Sequence, residues 1–337
     1  LTPSYEGADS YNGHYEIIGL NVVPKAIFIQ ENEWTLKKMY KNKSFVKLAE
    51  GIHSINRSFY ISNNIEADLG TSINLIADLK KISWSDAKKE GRVLFKELDC
   101  QRVIVMGNTN FSEDDIVSGI RGRKNTGSNS GSEIKGIIPA VVGLYDQNYQ
   151  THHIGKNIDS YNEDNLLDAA LHAGYRITLI GKVVGLFDKE HLMVSNIDTV
   201  SDDRSFKEAI KALETETHMC FINFQSLDLA GHARNIKEVQ DSFLKICNYI
   251  DSIRENMLSR DLLIVTADHG HSDRGHHGGN APDMRDFPVY YFGDAKGPEE
   301  DALLDQLQLA PTILSRFGLP VPDSMQAKPF LKGSVTN

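Results

Sequence analysis

Asp268 and His269 stand in Thr266-Ala267-Asp268-His269-Gly270, directly behind the apolar run Leu262-Leu263-Ile264-Val265. A buried strand is expected there, and open α/β sheets carry their chemistry where strands end. Upstream, Met219-Cys220-Phe221-Ile222-Asn223-Phe224 leads into Asp228-Leu229-Ala230-Gly231-His232, and downstream come His276-His277-Gly278-Gly279. Three strand-end loops are therefore expected to converge as Asp/His, Asp/His and His. Six of the twelve histidines (His218, His232, His269, His271, His276, His277) lie in this stretch. Mixed carboxylate and imidazole ligands suit Zn, Mn or Fe rather than Ca or Mg alone. A single Asp-x-x-x-His is more often a capping aspartate and a surface histidine, but two such pairs on successive strand ends, with a third histidine beyond, read as a metal site.

The other end of the chain adds a hydroxyl. Gly7-Ala8-Asp9-Ser10-Tyr11-Asn12-Gly13-His14-Tyr15-Glu16-Ile17-Ile18-Gly19 resembles the nucleophile loop of phosphopentomutases, where a hydroxyl residue four positions before the Gly-His histidine carries the phosphoryl group. Here that residue is Ser10. The resemblance resumes from Leu166 to Asp188, through Ile177-Thr178-Leu179-Ile180-Gly181-Lys182 and Phe187, and is closest from Phe221 to Gly293. It ends at Leu309-Ala310-Pro311-Thr312-Ile313-Leu314, a helix start seen widely in the alkaline phosphatase superfamily.

The resemblance implies two divalent metals bridged by the attacking hydroxyl. Asp228, His232 and a downstream histidine would hold one, and Asp268, His269 and Ser10 would face the other. Of His276 and His277, His277 is favoured because His-Gly is the commoner superfamily pattern. Manganese is the expected metal, with zinc and magnesium as alternatives; the implied substrate is a sugar phosphate, with a sugar bisphosphate as activator. The chemistry explains the residue types, because a serine hydroxyl is a poor nucleophile at neutral pH until a metal lowers its pKa and orients it.

Superfamily enzymes also begin with a strand ending in an Asp that completes the second metal site. This chain opens on Leu1 and reaches Ser10 too soon to contain it, so it is expected to lack its natural N-terminus. A protein truly without that strand would leave a slot in the middle of a parallel sheet, where backbone groups demand partners.

These residues need a scaffold, and the text from Tyr161 onward alternates helix and strand. Helices are expected at 165–173, 205–215 and 236–257, and strands at 177–180, 219–224 and 262–266. That rhythm indicates an α/β fold with a doubly wound, mostly parallel sheet, the alkaline-phosphatase-like core that the resemblance implies. Residues 1–20 and 151–337 are assigned to this core and 21–150 to an inserted α+β cap, with strands at Ile104-Val105-Met106 and Ile137-Ile138-Pro139-Ala140-Val141-Val142. The cap lacks the Ser-Ala-Asp-Ser signature of phosphopentomutases. Its candidate phosphate anchors are Arg121 and Arg123, in the run Arg121 to Gly131, since guanidinium groups grip phosphate bidentately. The plainer reading of that run is a solvated loop.

Other residues divide along the same line. His14 is read as shaping its turn or reaching substrate phosphate. Arg234 and Arg285 stand near the metal loops as candidate phosphate contacts, or as ordinary surface ion-pair partners. His152-His153 is read as solvated surface, and the stripe Phe243, Ile246, Ile250 and Ile253 as helix core.

Composition sets the outer limits. The 337 residues are 40% hydrophobic, enough to bury a large core and more in keeping with two domains than one. The formal charge of -10 argues against nucleic-acid binding, which needs a basic face. No apolar run reaches membrane-spanning length. The three cysteines, Cys100, Cys220 and Cys247, are odd in number and widely spaced, which points to a reducing, cytoplasmic setting. Three readings follow: a phosphopentomutase-type phosphotransferase acting between C1 and C5 of ribose or deoxyribose, a metal-dependent phosphohydrolase or phosphodiesterase, and a non-catalytic relative that has lost a metal ligand.

Overall fold

The computed structural model describes residues 1–5, 10–22, 27–29, 31–49, 51–62, 72–116, 148–161, 163–233, 235–271, 285–293, 296–297 and 302–331. The fold is α/β. Its core sheet is formed by β7 (Ile177–Ile180), β8 (Val194–Ile197) and β9 (Met219–Ile222) in the order β8-β7-β9, all parallel. Parallel neighbours require crossovers, and helices Val183–Phe187 and Asp202–Leu213 supply them. The helix Leu166–His172 leads in, with Asn165 at its N-cap accepting from Leu167 and Asp168 backbone N–H groups. A long helix, Ile236–Asn256, leads to β10 (Leu263–Val265), which pairs antiparallel with β11 (Tyr290–Phe292). Among the described residues β9 and β10 share apolar clusters, Phe221 with Ile264 and Ile222 with Leu263, but exchange no ladder.

A second sheet runs β1 (Phe45–Ala49), β2 (Ile52–Ile55), β3 (Phe59–Ser62), β4 (Ser72–Asp78), β5 (Arg102–Asn108) and β6 (Gln150–Gly155) in sequence order. Only β4 and β5 are parallel, joined through the helix Trp84–Leu98, which Ser83 caps by accepting from Asp86 N–H. One face of this sheet, Ile73, Leu75, Ala77, Val103 and Val105, packs on Ala87, Leu94 and Leu98 of that helix. The period-2 pattern of β4 accounts for the split, because the alternate residues Ser72, Asn74, Ile76 and Asp78 must face the other way. That second face holds Ile76, Ile104 and Met106 against Leu229 and Ala233, at the helix of the second acid-imidazole pair.

Several elements differ from their sequence expectation. The expected helix at 205–215 starts earlier, at Asp202, because Ser201 caps it, and β8 went unanticipated because only its two end residues are even partly buried. The stripe on Ile236–Asn256 is corrected: its buried line is Ser242, Ile246, Tyr249 and Ile253, while Phe243 is exposed. His152 and His153 are also corrected, since both lie on β6 rather than in a loop, and His153 is buried. Alternation along a strand turned one of the pair inward. The expected strand at 137–142 lies outside the described residues. All three cysteines are free, and no described helix is long and apolar enough to cross a membrane.

Candidate metal and nucleophile site

The first helix, α1 (Ser10–Ile17), is buried along its whole length. It lies on the exit of β10 because position 13 has no side chain: a Cβ on Gly13 would fall 2.1 Å from the Asp268 carbonyl oxygen. Gln306 bridges the same contact, donating from Nε2 to the carbonyls of Gly13 at 3.1 Å and Asp268 at 3.4 Å. Ser10, at the start of α1, is thereby set against Asp268 and His269. Lys182 arrives from the third direction, the turn that ends β7. Gly181 adopts φ +88° there, and a Cβ would meet the Asn223 carbonyl at 2.8 Å, so only glycine lets the chain turn this close to the end of β9.

These elements place a hydroxyl between a cation and an imidazole. Lys182 Nζ donates to Ser10 Oγ at 3.0 Å and to Asp268 Oδ2 at 3.1 Å. His269 Nδ1 faces the Gly270 carbonyl at 2.9 Å; that acceptor requires the ring hydrogen on Nδ1, which leaves a lone pair on Nε2. Nε2 stands 3.0 Å from Ser10 Oγ and 3.5 Å from Asp268 Oδ2. His14 closes the group from beneath, its Nδ1 2.7 Å from the Ser10 carbonyl and 3.1 Å from Asp268 Oδ2. Burial would raise the Asp268 carboxyl, but its neighbours His269, the Lys182 ammonium and His14, which hydrogen-bonds it, outweigh burial and hold Asp268 well below the usual carboxylate range. At His14 burial wins over the attraction of Asp268 and lowers the imidazole below its ordinary value. Asp268 is therefore an anion and His14 a neutral ring that orients it.

A second group forms beside the first. The helix Ser226–His232 follows β9, so Asp228 and His232 sit one turn apart on one helical face. The pair thus lies on a helix and not in the strand-end loop expected from sequence. Asp228 Oδ1 is 3.5 Å from His232 Nε2 and 3.8 Å from His271 Nε2, and ligand atoms of the three lie within 4.8 Å of one another. Gly231 makes room, since a Cβ there would press on the His271 ring at 2.9 Å. His269 and His271, two residues apart on the chain leaving β10, thus serve different groups.

The second group could hold a divalent ion, since its three ligand atoms converge; in the first, the Lys182 ammonium occupies the space between Ser10 Oγ and Asp268 Oδ2. The carboxylate and imidazole donors of the second group suit Zn or Mn. Of the residues expected from sequence, the structure brings Ser10, Asp268 and His269 together, and Asp228 with His232. His14 is buried against Asp268, and Arg285 donates from Nη2 to the carbonyls of Pro3 at 2.7 Å and Tyr5 at 2.9 Å. Arg121, Arg123, Arg234, His276 and His277 lie outside the described residues. Sequence reasoning gave no role to His271 or Lys182. The usable signals were the odd-position alternation of His269 and His271, and a lysine directly behind a strand and a glycine.

Residues 151–320 match the family profile of the Metalloenzyme superfamily. Phosphopentomutase of Clostridium botulinum (strain Alaska E43 / Type E3) is 27% identical over 175 residues, 50% of this chain and 43% of that protein. The catalytic subunit of Homo sapiens GPI ethanolamine phosphate transferase 3 is 26% identical over 188 residues, 50% of this chain and 17% of that protein. Phosphopentomutase of Carboxydothermus hydrogenoformans is 27% identical over 106 residues, 31% of this chain and 27% of that protein. The matched stretches cover less than half of each of these relatives. A solved structure of Leishmania mexicana phosphoglycerate mutase, at low cobalt concentration, aligns with a TM-score of 0.46 and 12% identity, covering 97% of this chain and 87% of that one. Both acid-imidazole groups fall inside the span 151–320, half of the 337 residues, and the chain belongs to the Metalloenzyme superfamily.

Proposed function

We propose that this chain carries the machinery of a metal-dependent phosphotransferase of the phosphopentomutase type, moving phosphate between C1 and C5 of ribose or deoxyribose through a phosphorylated Ser10. The observation that supports it is the buried Ser10 hydroxyl, held at 3.0 Å by both Lys182 Nζ and His269 Nε2. A hydroxyl so placed is an activated nucleophile: the ammonium favours the alkoxide, and the ring offers a lone pair along the O–H direction. Asp268 and His269 with Ser10 would hold one divalent ion, and Asp228 and His232 with a further histidine, His271 or His277, the other. Bound there, such ions would lower the hydroxyl pKa and neutralise the phosphoryl oxygens.

The choice of a pentose rests on the Ser10 loop and on the similarity to phosphopentomutases. Manganese is the metal we favour. The division into a core (1–20 and 151–337) and a cap (21–150) is part of the proposal, supported by the separate six-stranded sheet, although the last strand of that sheet runs past the boundary to Gly155. A cytoplasmic location is supported by three free thiols.

The test is covalent labelling. Incubated with Mn2+ and a sugar bisphosphate, the wild type should gain one phosphoryl group by intact mass, at Ser10 by peptide mapping, and should convert ribose 1-phosphate to ribose 5-phosphate. Ser10→Ala should abolish both while melting within a few degrees of wild type. Label on another residue, or an active alanine variant, would refute the assignment. Phosphate release outpacing isomerisation would favour a hydrolase instead.

A further inference from the structure

The second face of the six-stranded sheet is polar where it approaches α1. Register sets Ser72 beside Arg102, and Ile104 beside both Asn74 and His153, with Met106 beside Thr151. Side-by-side partners share a face, so Asn74, Arg102, Thr151 and His153 all point the same way. Each is at least nine-tenths buried, with exposures of 0%, 1%, 8% and 8%. Yet Asn74 Nδ2 and Oδ1, Arg102 Nη1, Thr151 Oγ1 and His153 Nδ1 have no hydrogen-bond partner among the described residues. Four side chains that leave polar atoms unmet on one small face are costly, at about 1–3 kcal/mol for each such atom.

Arg102 is the sharpest case. Its Nε donates to Ser72 Oγ at 2.7 Å and its guanidinium lies 5.8 Å from the centre of the Tyr11 ring, but among the described residues it forms no ion pair with a carboxylate. A buried cation without a counter-ion is strongly unfavourable, and a guanidinium cannot escape by losing its proton. Among the described residues no counter-ion is supplied, and the partner such a group calls for is an anion. None of the four residues carries negative charge, and the surroundings are positive: burial, with the charges of Arg102 and Lys182, drives His153 well below its ordinary value. The cluster also adjoins the nucleophile. Tyr11 follows Ser10 in α1, and the His153 backbone lies against the helix that begins just after Lys182, where a Cβ on Gly185 would fall 2.3 Å from the His153 carbonyl.

We propose that Arg102, with Asn74, Thr151 and His153 beside it, binds a second oxyanion of the substrate: the phosphate remote from Ser10 in a doubly phosphorylated sugar. This rests on the phosphotransferase reading above. A phosphate that moves between two ends of one sugar passes through a species with an anion at each end. The Ser10 site grips the phosphate in transfer, and Arg102 holds the other while Asn74, Thr151 and neutral His153 complete its hydrogen bonds. The donor atoms are closed off in this structure, so binding of the anion requires the sheet to part from α1.

The test uses the full chain with Mn2+ and three calorimetric probes: ribose 1,5-bisphosphate, ribose 1-phosphate and phenyl phosphate. The wild type should bind the bisphosphate at least tenfold tighter than the monophosphate. Arg102→Gln should weaken the bisphosphate by about 10- to 100-fold, the loss of a charge-assisted hydrogen bond, and phenyl phosphate by no more than roughly threefold. If Arg102→Gln does not fold, by circular dichroism, Asn74→Ala should show the same selectivity at about 2- to 12-fold. Equal losses for bisphosphate and phenyl phosphate, or no wild-type preference for the bisphosphate, would overturn the subsite. An Arg102-dependent preference in a chain that transfers no phosphate would support the subsite and sink the phosphotransferase; transfer without the preference would do the reverse.

Discussion

Ser10 has two neighbours that make a serine reactive, and they act differently. His269 is aimed by its own chain, through Nδ1 and the Gly270 carbonyl, so its alignment costs little when substrate arrives. Lys182 is shared, because the ammonium that touches Ser10 Oγ also neutralises Asp268. Removing it should therefore do two kinds of damage. In Lys182→Met the hydroxyl loses its electrostatic support and Asp268 keeps, among the described residues, its two histidine neighbours. We predict a fall in kcat of about 10²–10³, the usual loss for one preorganised donor, with a smaller change in KM. Steady-state kinetics on ribose 1-phosphate read the split, and an unchanged kcat would remove Lys182 from the catalytic account.

At the scale of elements, the site depends on a helix touching a strand exit. Alanine at a mid-helix glycine ordinarily stabilises by about 1 kcal/mol. At Gly13 the added methyl would meet a backbone oxygen at 2.1 Å, and neither α1 nor the Asp268 backbone, pinned by Gln306, can yield cheaply. Overpacking of this kind costs about 1–3 kcal/mol and should win. Gly13→Ala is thus predicted to lower the melting temperature and to move Ser10 away from His269, so that phosphoenzyme formation falls more than stability does. Calorimetry and intact mass measure the two; a more stable, fully labelled variant would show that the contact is not tight.

The whole molecule gathers its metal ligands from separate places: α1, the helix after β9 and the chain leaving β10. Because these elements come together only in the folded chain, ions that bind them stabilise the fold by mass action, about 2.7 kcal/mol at a hundredfold excess over Kd. For a chain of this size that is roughly 4 °C in melting temperature. We predict a rise of this order with Mn2+ or Zn2+, reversed by chelation, and reduced in His232→Ala. Differential scanning calorimetry settles it; a melting temperature indifferent to metals would leave the two groups as ordinary ion pairs.

Sequence alone marked the acid-imidazole pairs and their rough placement. Asp268, His269, Asp228 and His232 announce themselves because apolar runs precede them, and hydrophobic periodicity is a local property that any window of the chain displays. Two strands of the parallel core, β7 and β9, were legible for the same reason, in the alternation of helix and strand. Tertiary structure decided what depends on distance in space. Lys182 reaches Ser10 across 172 positions, and no local pattern marks that meeting. Phe243 looked like core by its spacing, but the partners of its helix face another line of residues. His153 looked like surface, yet the pleat of β6 turns it onto the buried face while His152 stays half-buried on the other. Which side chains share a buried volume is set by how elements pack, and packing pairs residues that the chain itself keeps far apart.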